Sequence, residues 1–316
     1  MALNTNLTSS SGLNDAPTGA YWDKVLLDFL KLPLFFNDSG EKRTLPKGSG
    51  QDINFLRPVV LAAQTSALTE ATTPNGLSYT STKITAKPLQ YGGYLAYSDT
   101  LVLESIDPIT EAMMEVLGYN AGLTVDTLAA TALDGNMTTI YTGGQTSEGS
   151  VSTAVAASDF RRAAAKLRAI GVLPFEDNTF HAIVHPFSAG DIQADSGTAS
   201  WAALNQYVSI PKEHDKVLNG FIGKLSGISF QESGNVLTGT GASSAVTYHN
   251  WVFGRQGFGV VDVAEMGIEK IVHAPGDAGA LDPLNQIGSL GWKTRYICKV
   301  LDSTRGIMVV GTSAIS

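Results

Sequence analysis

Residues Asp52 to Asp134 read as a long hairpin that feeds one long helix, and nothing else in the chain constrains its fold as strongly. Ile53, Phe55, Arg57, Val59 and Leu61 alternate with Asp52, Asn54, Leu56, Pro58 and Val60, which is the period of a strand. The tip runs roughly from Ala63 to Ser78 through Leu68-Thr69-Glu70-Ala71-Thr72-Thr73-Pro74, and Asn75-Gly76 after the proline is a turn signal. The return arm sets Thr80, Thr82, Ile84 and Ala86 on one face. Beyond Pro88 the apolar set shifts by one residue to Leu89, Tyr91, Leu95 and Tyr97. A bulge or bend causes such a flip. Pro88 cannot donate to a ladder, which predicts an edge strand there, and Gly92-Gly93 predicts a second bend or hinge. Asp107 as N-cap and Pro108 at the first helical position open a helix that runs to about Leu133, a rod of roughly 40 Å. Ile109, Met113, Val116, Leu117, Leu123 and Leu128 are its expected apolar stripe. The hairpin arms are too polar and extended to bury themselves, so they predict burial by neighbouring copies.

Composition fits that reading. Only 16% of the 316 residues are charged, hydrophobic residues make up 43%, and the net charge is −8. A low charge fraction suits a covered surface. An acidic chain lacks the basic stripe that sequence-independent nucleic-acid binding requires. The single cysteine, Cys298, lies in an apolar strand-like run and reads as a small buried hydrophobe. No basic n-region followed by an apolar run opens the chain, so no signal peptide is expected, and no run has the length of a membrane span.

Elsewhere the pattern is mixed, and alternating helix and strand after Ser158 suggest an α/β-like second domain. Residues 1–20 are polar and expected to be disordered when alone. Tyr21 to Phe36 carries a helical stripe that includes Trp22, and Glu41 to Gly50 reads as a polar turn region. Thr138 to Ala157 is a connector with strand potential at Val151 to Val155. A second helix is predicted from Ser158, its cap, to Ile170, and another over Trp201 to Tyr207. Strands are predicted at Phe180–Val184, Gly227–Glu232, Val246–Phe253 and Gly267–Val272, and throughout the tail from Leu290.

No constellation for catalysis, cofactor or metal stands out. Gly254-Arg255-Gln256-Gly257-Phe258-Gly259 has the wrong glycine order for a dinucleotide loop and reads as a bend between strands. His181 and His185 have a helical ligand spacing but lie on a strand, where four residues span about 13 Å. They read as core or rim histidines. The carboxylates are scattered, so no acid–base pair is singled out. The tryptophans read as core or interface anchors. Glu70 at the hairpin tip is either a solvated carboxylate or an ion-pair partner for a neighbouring subunit.

Several features together resemble the phage N4-type major capsid proteins. They are the hairpin with Leu68-Thr69-Glu70-Ala71-Thr72-Thr73-Pro74, Ser98-Asp99 at its end, Asp107-Pro108 opening a long helix, His185-Pro186, and Asp282-Pro283-Leu284-Asn285-Gln286-Ile287-Gly288 before Gly291-Trp292-Lys293. Ala71 departs from the glycine common in that family. The resemblance implies an α+β, HK97-like fold with an N-terminal arm (1–50), an extended hairpin or E-loop (51–99), a peripheral domain with its spine helix (100–149), an axial domain (150–275) and a return to the peripheral domain (276–316). It implies a non-enzymatic shell subunit of a tailed double-stranded DNA phage that forms pentamers and hexamers. The expected partners are a separate scaffold protein, a portal, a decoration or cement protein and packaged DNA held without specific binding, with no membrane and no cofactor. Inter-subunit contacts are expected at Leu68, Thr69, Glu70, Pro74, Lys83, Lys87, Tyr91 and Trp22, and a hinge at Pro88, Gly92 and Gly93. A covalent crosslink through Lys83 or Lys87 is weighed against ordinary solvation, which is the usual state of surface lysines. An encapsulin-like compartment and a β-rich glycan-binding module are the alternatives.

Overall fold

The structure, a computed structural model, describes residues 5–6, 35–37, 39–46, 50–68, 70, 73, 75–105, 109–194, 221–263, 268–276 and 284–315. The expected helices over Tyr21–Phe36 and Trp201–Tyr207, and the Asp107-Pro108 cap, lie wholly or almost wholly outside these residues. The strands in chain order are β1 (Thr5–Asn6), β2 (Glu41–Leu45), β3 (Ile53–Pro58), β4 (Ser81–Ala86), β5 (Leu89–Ser98), β6 (Thr138–Tyr141), β7 (Phe180–Val184), β8 (Phe221–Leu225), β9 (Ile228–Glu232), β10 (Thr238–Thr240), β11 (Val246–Phe253), β12 (Phe258–Val263), β13 (Glu269–His273), β14 (Ile287–Val300) and β15 (Gly306–Gly311). The helices are α1 (Asp99–Glu104), α2 (Ile109–Leu133), α3 (Ala157–Ala169) and α4 (Pro186–Ala194).

Two large sheets and one hairpin organise these strands. The first sheet has the order β1-β5-β14-β12-β2, with β13 also on β14. The second runs β6-β15-β11-β7-β9-β8, with β10 on β11. β3 and β4 pair only with each other. The chain changes sheet between β11 and β12 at the glycine-rich bend, and β15 returns to the second sheet. The expected blocks 150–275 and 276–316 are therefore each shared between sheets: β12 and β13 join the first, and β15 joins the second.

Helix α2 lies on the first sheet and also contributes to the core between the sheets. Its buried residues are Leu117, Ala121, Val125, Asp126, Ala129, Ala130 and Leu133. The expected stripe is thus partly out of phase: Val116 is exposed, while Leu123 and Leu128 are half-buried. Apolar residues surround this helix on all sides, so periodicity carried little phase information, and alanines form the buried face because they admit a close helix–sheet approach. Ala129, Ala130, Leu133, Phe36, Trp251, Phe253, Phe258, Tyr296 and Met308 form one core cluster between the sheets. A second cluster lies where α3 and α4 cover the other face of the second sheet, through Phe160, Leu167, Ile192, Phe180 and Phe230.

Local differences from the sequence reading have local causes. α3 begins one residue earlier than expected, with Ala156 as N-cap instead of Ser158. The Ala156 N–H donates to the Asp159 carboxylate at 3.3 Å, so the acid in the first turn does the work of a capping side chain. Residues 41–45, read as a turn, form β2, because a parallel ladder with β12 supplies the order their polar sequence lacks. Strand potential at 151–155 amounts to one bridge, Ala154 to Thr312, and the strand in that connector is β6 at 138–141.

Candidate assembly interface

The hairpin is where apolar surface stays uncovered. Its ladder runs from Ile53 opposite Ala86 to Pro58 opposite Ser81. Its root packs on the body, with Ile53, Phe55 and Ala86 against Leu45, Val261 and Ile297. Above that root Arg57 reaches across an open cleft of about 620 Å³ and pairs with Asp302 at 3.2 Å. Asp302 also binds Arg305 Nε at 3.3 Å and accepts the Thr304 hydroxyl at 2.7 Å. Burial alone would push this carboxyl up. The Thr304 hydrogen bonds and the two guanidinium groups outweigh it and hold the acid below its ordinary value. Beyond Arg57 the hairpin exposes Val59, Val60, Leu61, Leu68, Leu77 and Tyr79, with Val60 at 92%. Contiguous exposed apolar side chains on an extended arm mark a surface that is covered in an assembly.

The expected contact residues divide into three groups. Leu68, Glu70, Lys83 and Lys87 are exposed on the arm. Thr69, Pro74 and Trp22 lie outside the described residues. Tyr91 packs inward against both the inter-sheet cluster and the cluster under α2, and is half-buried. The outward aromatic of β5 is Tyr94, 63% exposed, which strand alternation from Tyr91 would have indicated.

The three expected hinge residues are also distinct. Pro88 is buried at the break between β4 and β5, where the chain leaves the hairpin for the first sheet. This break replaces the edge-strand position expected for it. Gly92 and Gly93 do not interrupt β5, which pairs with β14 without a register shift from Leu89–Tyr296 to Ser98–Ile287. A Cβ on Gly92 would lie 2.6 Å from the Trp292 carbonyl oxygen, so glycine here serves close approach and not bending. Trp292 itself is buried beside them and donates from Nε1 to Asn120 of α2 at 3.1 Å.

Two polar clusters that the sequence reading missed fix α2 in place. Asp126, 1% exposed, accepts the Phe36 and Asn37 N–H groups at 2.9 and 3.3 Å and the Asn235 amide at 3.0 Å. At the far end, buried His249 lies between two carboxylates, with Nε2 2.8 Å from Glu148 and Nδ1 3.2 Å from Asp134. Burial pushes the Glu148 carboxyl up, but hydrogen bonds from Thr247 and His249 outweigh it and leave the acid below its ordinary value. The other two histidines of interest are apart, as strand spacing predicts. His181 stacks on Phe175 at 4.1 Å, His185 stacks on Tyr248 at 4.3 Å, and burial pushes both rings below the usual imidazole value. Among the described residues no group of three or more His, Cys, Asp or Glu could hold a metal ion, and no helix is long and apolar enough to cross a membrane.

Sequence comparison matches residues 81–308 to a family described as phage capsid protein. The chain belongs to that family. The match agrees with the expected resemblance at the level of the family, and as a phage capsid protein the chain takes its place in the virion shell. No curated protein matches it in sequence. Among solved structures it is similar to the Cyanophage Pam1 capsid, with TM-score 0.70 and 14% identity over 98% of this chain and 100% of that one. The capsid of Ralstonia phage GP4 gives TM-score 0.70 and 14% identity over 93% and 95%. The head of Helicobacter pylori bacteriophage KHP40 gives 0.68 and 13% over 98% and 99%. The fold is therefore the HK97-like capsid fold, in its α+β form.

Proposed function

We propose that this capsid protein assembles into pentamers and hexamers that close an icosahedral shell around double-stranded DNA, and that the hairpin of each copy lies on a neighbour. The exposed apolar arm beyond Arg57 carries this reading, because a free monomer would leave it in water. The N-terminal arm, peripheral and axial regions take the tasks that the resemblance gives them, and the role is structural and non-enzymatic. A net charge of −8 suits a container whose polyanionic content must leave again. A separate scaffold protein, a portal and a decoration protein are the further partners in this reading. Negative-stain microscopy of the expressed protein with its scaffold tests it: closed shells with capsomers support it, and a persistent monomer contradicts it.

A further inference from the structure

Charge along this chain is segregated. From Pro88 to Phe160 there is no lysine, arginine or histidine, while the same stretch holds Asp99, Glu104, Glu111 and Glu115. The hairpin just before it carries Arg57, Lys83 and Lys87 against Asp52 at its root and Glu70 at its tip. Strand pairing places Leu56 across from Lys83 and Asn54 across from Thr85 on one hairpin face. Phe55 with Ile84, and Ile53 with Ala86, occupy the face whose root meets the body. The free face therefore combines Leu56, 70% exposed, with exposed lysines. Neither Lys83 nor Lys87 has an ion-pair partner among the described residues.

A surface of matching character lies on α1 and the first turns of α2. Leu101, Ile109, Met113 and Leu117 pack inward with Leu290 and Trp292. The outer side exposes Val102, Val116 and Leu103, the last at 82%, framed by exposed Glu104 and Glu111. Within one chain this shoulder and the hairpin root sit at opposite ends of β5, roughly 30 Å of strand apart. Two different complementary patches at opposite ends give a head-to-tail contact, the kind that closes into rings.

We infer that the free face of the hairpin, with Leu56, Lys83 and Lys87, docks on the acidic apolar shoulder formed by Leu103, Glu104 and Glu111 of a second copy of this chain. The inference rests on the reading that the hairpin reaches a neighbour, and it names the surface reached. Apolar contact supplies affinity, and the lysine–glutamate pairs set register and steer encounter.

The test uses the full chain. Carbodiimide crosslinking of particles built from mixed isotope-labelled copies, read by peptide mass spectrometry, joins Lys83 or Lys87 to Glu104 or Glu111 between copies. Lys83→Glu with Lys87→Glu, and separately Glu104→Lys with Glu111→Lys, each raise the protein concentration needed for shells by about tenfold. All four changes together restore it. The inference is overturned if the lysine reversals leave assembly unchanged. It is equally overturned if the fourfold variant, folded by circular dichroism, stays as defective as either pair, or if crosslinks fall on other carboxylates. Deleting 63–78 separates the two levels, because it keeps both lysines. Normal shells from that deletion, with no crosslink from Lys83 or Lys87 to a second copy, remove the hairpin reading itself, whereas lost assembly with wild-type crosslinks elsewhere removes only the docking surface.

Discussion

Asp126 in the middle of α2 accepts the backbone N–H of Phe36 at 2.9 Å, and so ties the chain at Phe36 to the long helix. A buried carboxyl oxygen that serves backbone donors leaves several groups unpaired when removed. Asp126→Ala is expected to cost about 2–4 kcal/mol, and Asp126→Asn, which keeps an acceptor oxygen, less. Urea denaturation followed by fluorescence of the buried tryptophans checks both. A loss below about 1 kcal/mol for the alanine would show that the latch is not a stability element.

The Arg57–Asp302 pair predicts how the hairpin responds to acid. The Asp302 carboxyl lies below its ordinary value in the folded chain, so its contribution is complete above the ordinary value of about 3.9. It is lost as pH falls through the lower folded value. At neutral pH Arg57→Ala is expected to speed proteolytic cleavage within 59–80 by roughly three- to tenfold, a modest effect because Arg57 is half exposed. With an acid-active protease the difference from wild type shrinks as pH falls below the ordinary carboxylate value. A difference that persisted there would mean the carboxylate is not what holds the arm.

Two adjacent glycines are expected to behave differently. Gly92→Ala drives a methyl to 2.6 Å from a backbone carbonyl and is expected to destabilise by about 1–3 kcal/mol. Gly93→Ala meets Trp292 Nε1 at 3.4 Å, an ordinary contact, and is expected to cost less than about 1 kcal/mol. Thermal melts of the two variants decide it. Equal effects would favour a shared role in bending over close approach at Gly92 alone.

Burial pushes the Cys298 thiol up to about 12, and the side chain is 6% exposed. The native protein is therefore expected to resist thiol-reactive dyes at pH 8 and to react fully once unfolded, with shells insensitive to reductant. Rapid labelling of native protein would contradict the core position of β14.

How much of this was legible in sequence depended on the kind of order involved. β7, β11, α3 and the hairpin carry their own periodicity, so their existence could be read directly. β2 could not, because Glu41 to Leu45 is polar and becomes a strand only by pairing with β12. α2 was legible as a helix but not in phase, since Ala121, Ala129 and Ala130 lie on its buried face while Val116 points outward. Asp126 and its partner Phe36 are 90 residues apart, and His249 and Asp134 are 115 apart. Single-sequence spacing carries no information on such pairs. The hairpin lysines were visible as charges, but the acidic shoulder needed the packing of α1 and α2 to show which of their residues face outward.

The central claim is that this chain is a shell subunit whose hairpin joins copies. Sedimentation and electron microscopy of the full chain beside a variant lacking 63–78 test it most directly. The expected result is closed shells from the full chain and a folded, soluble species that does not assemble from the deletion. Normal shells from the deletion would contradict the account.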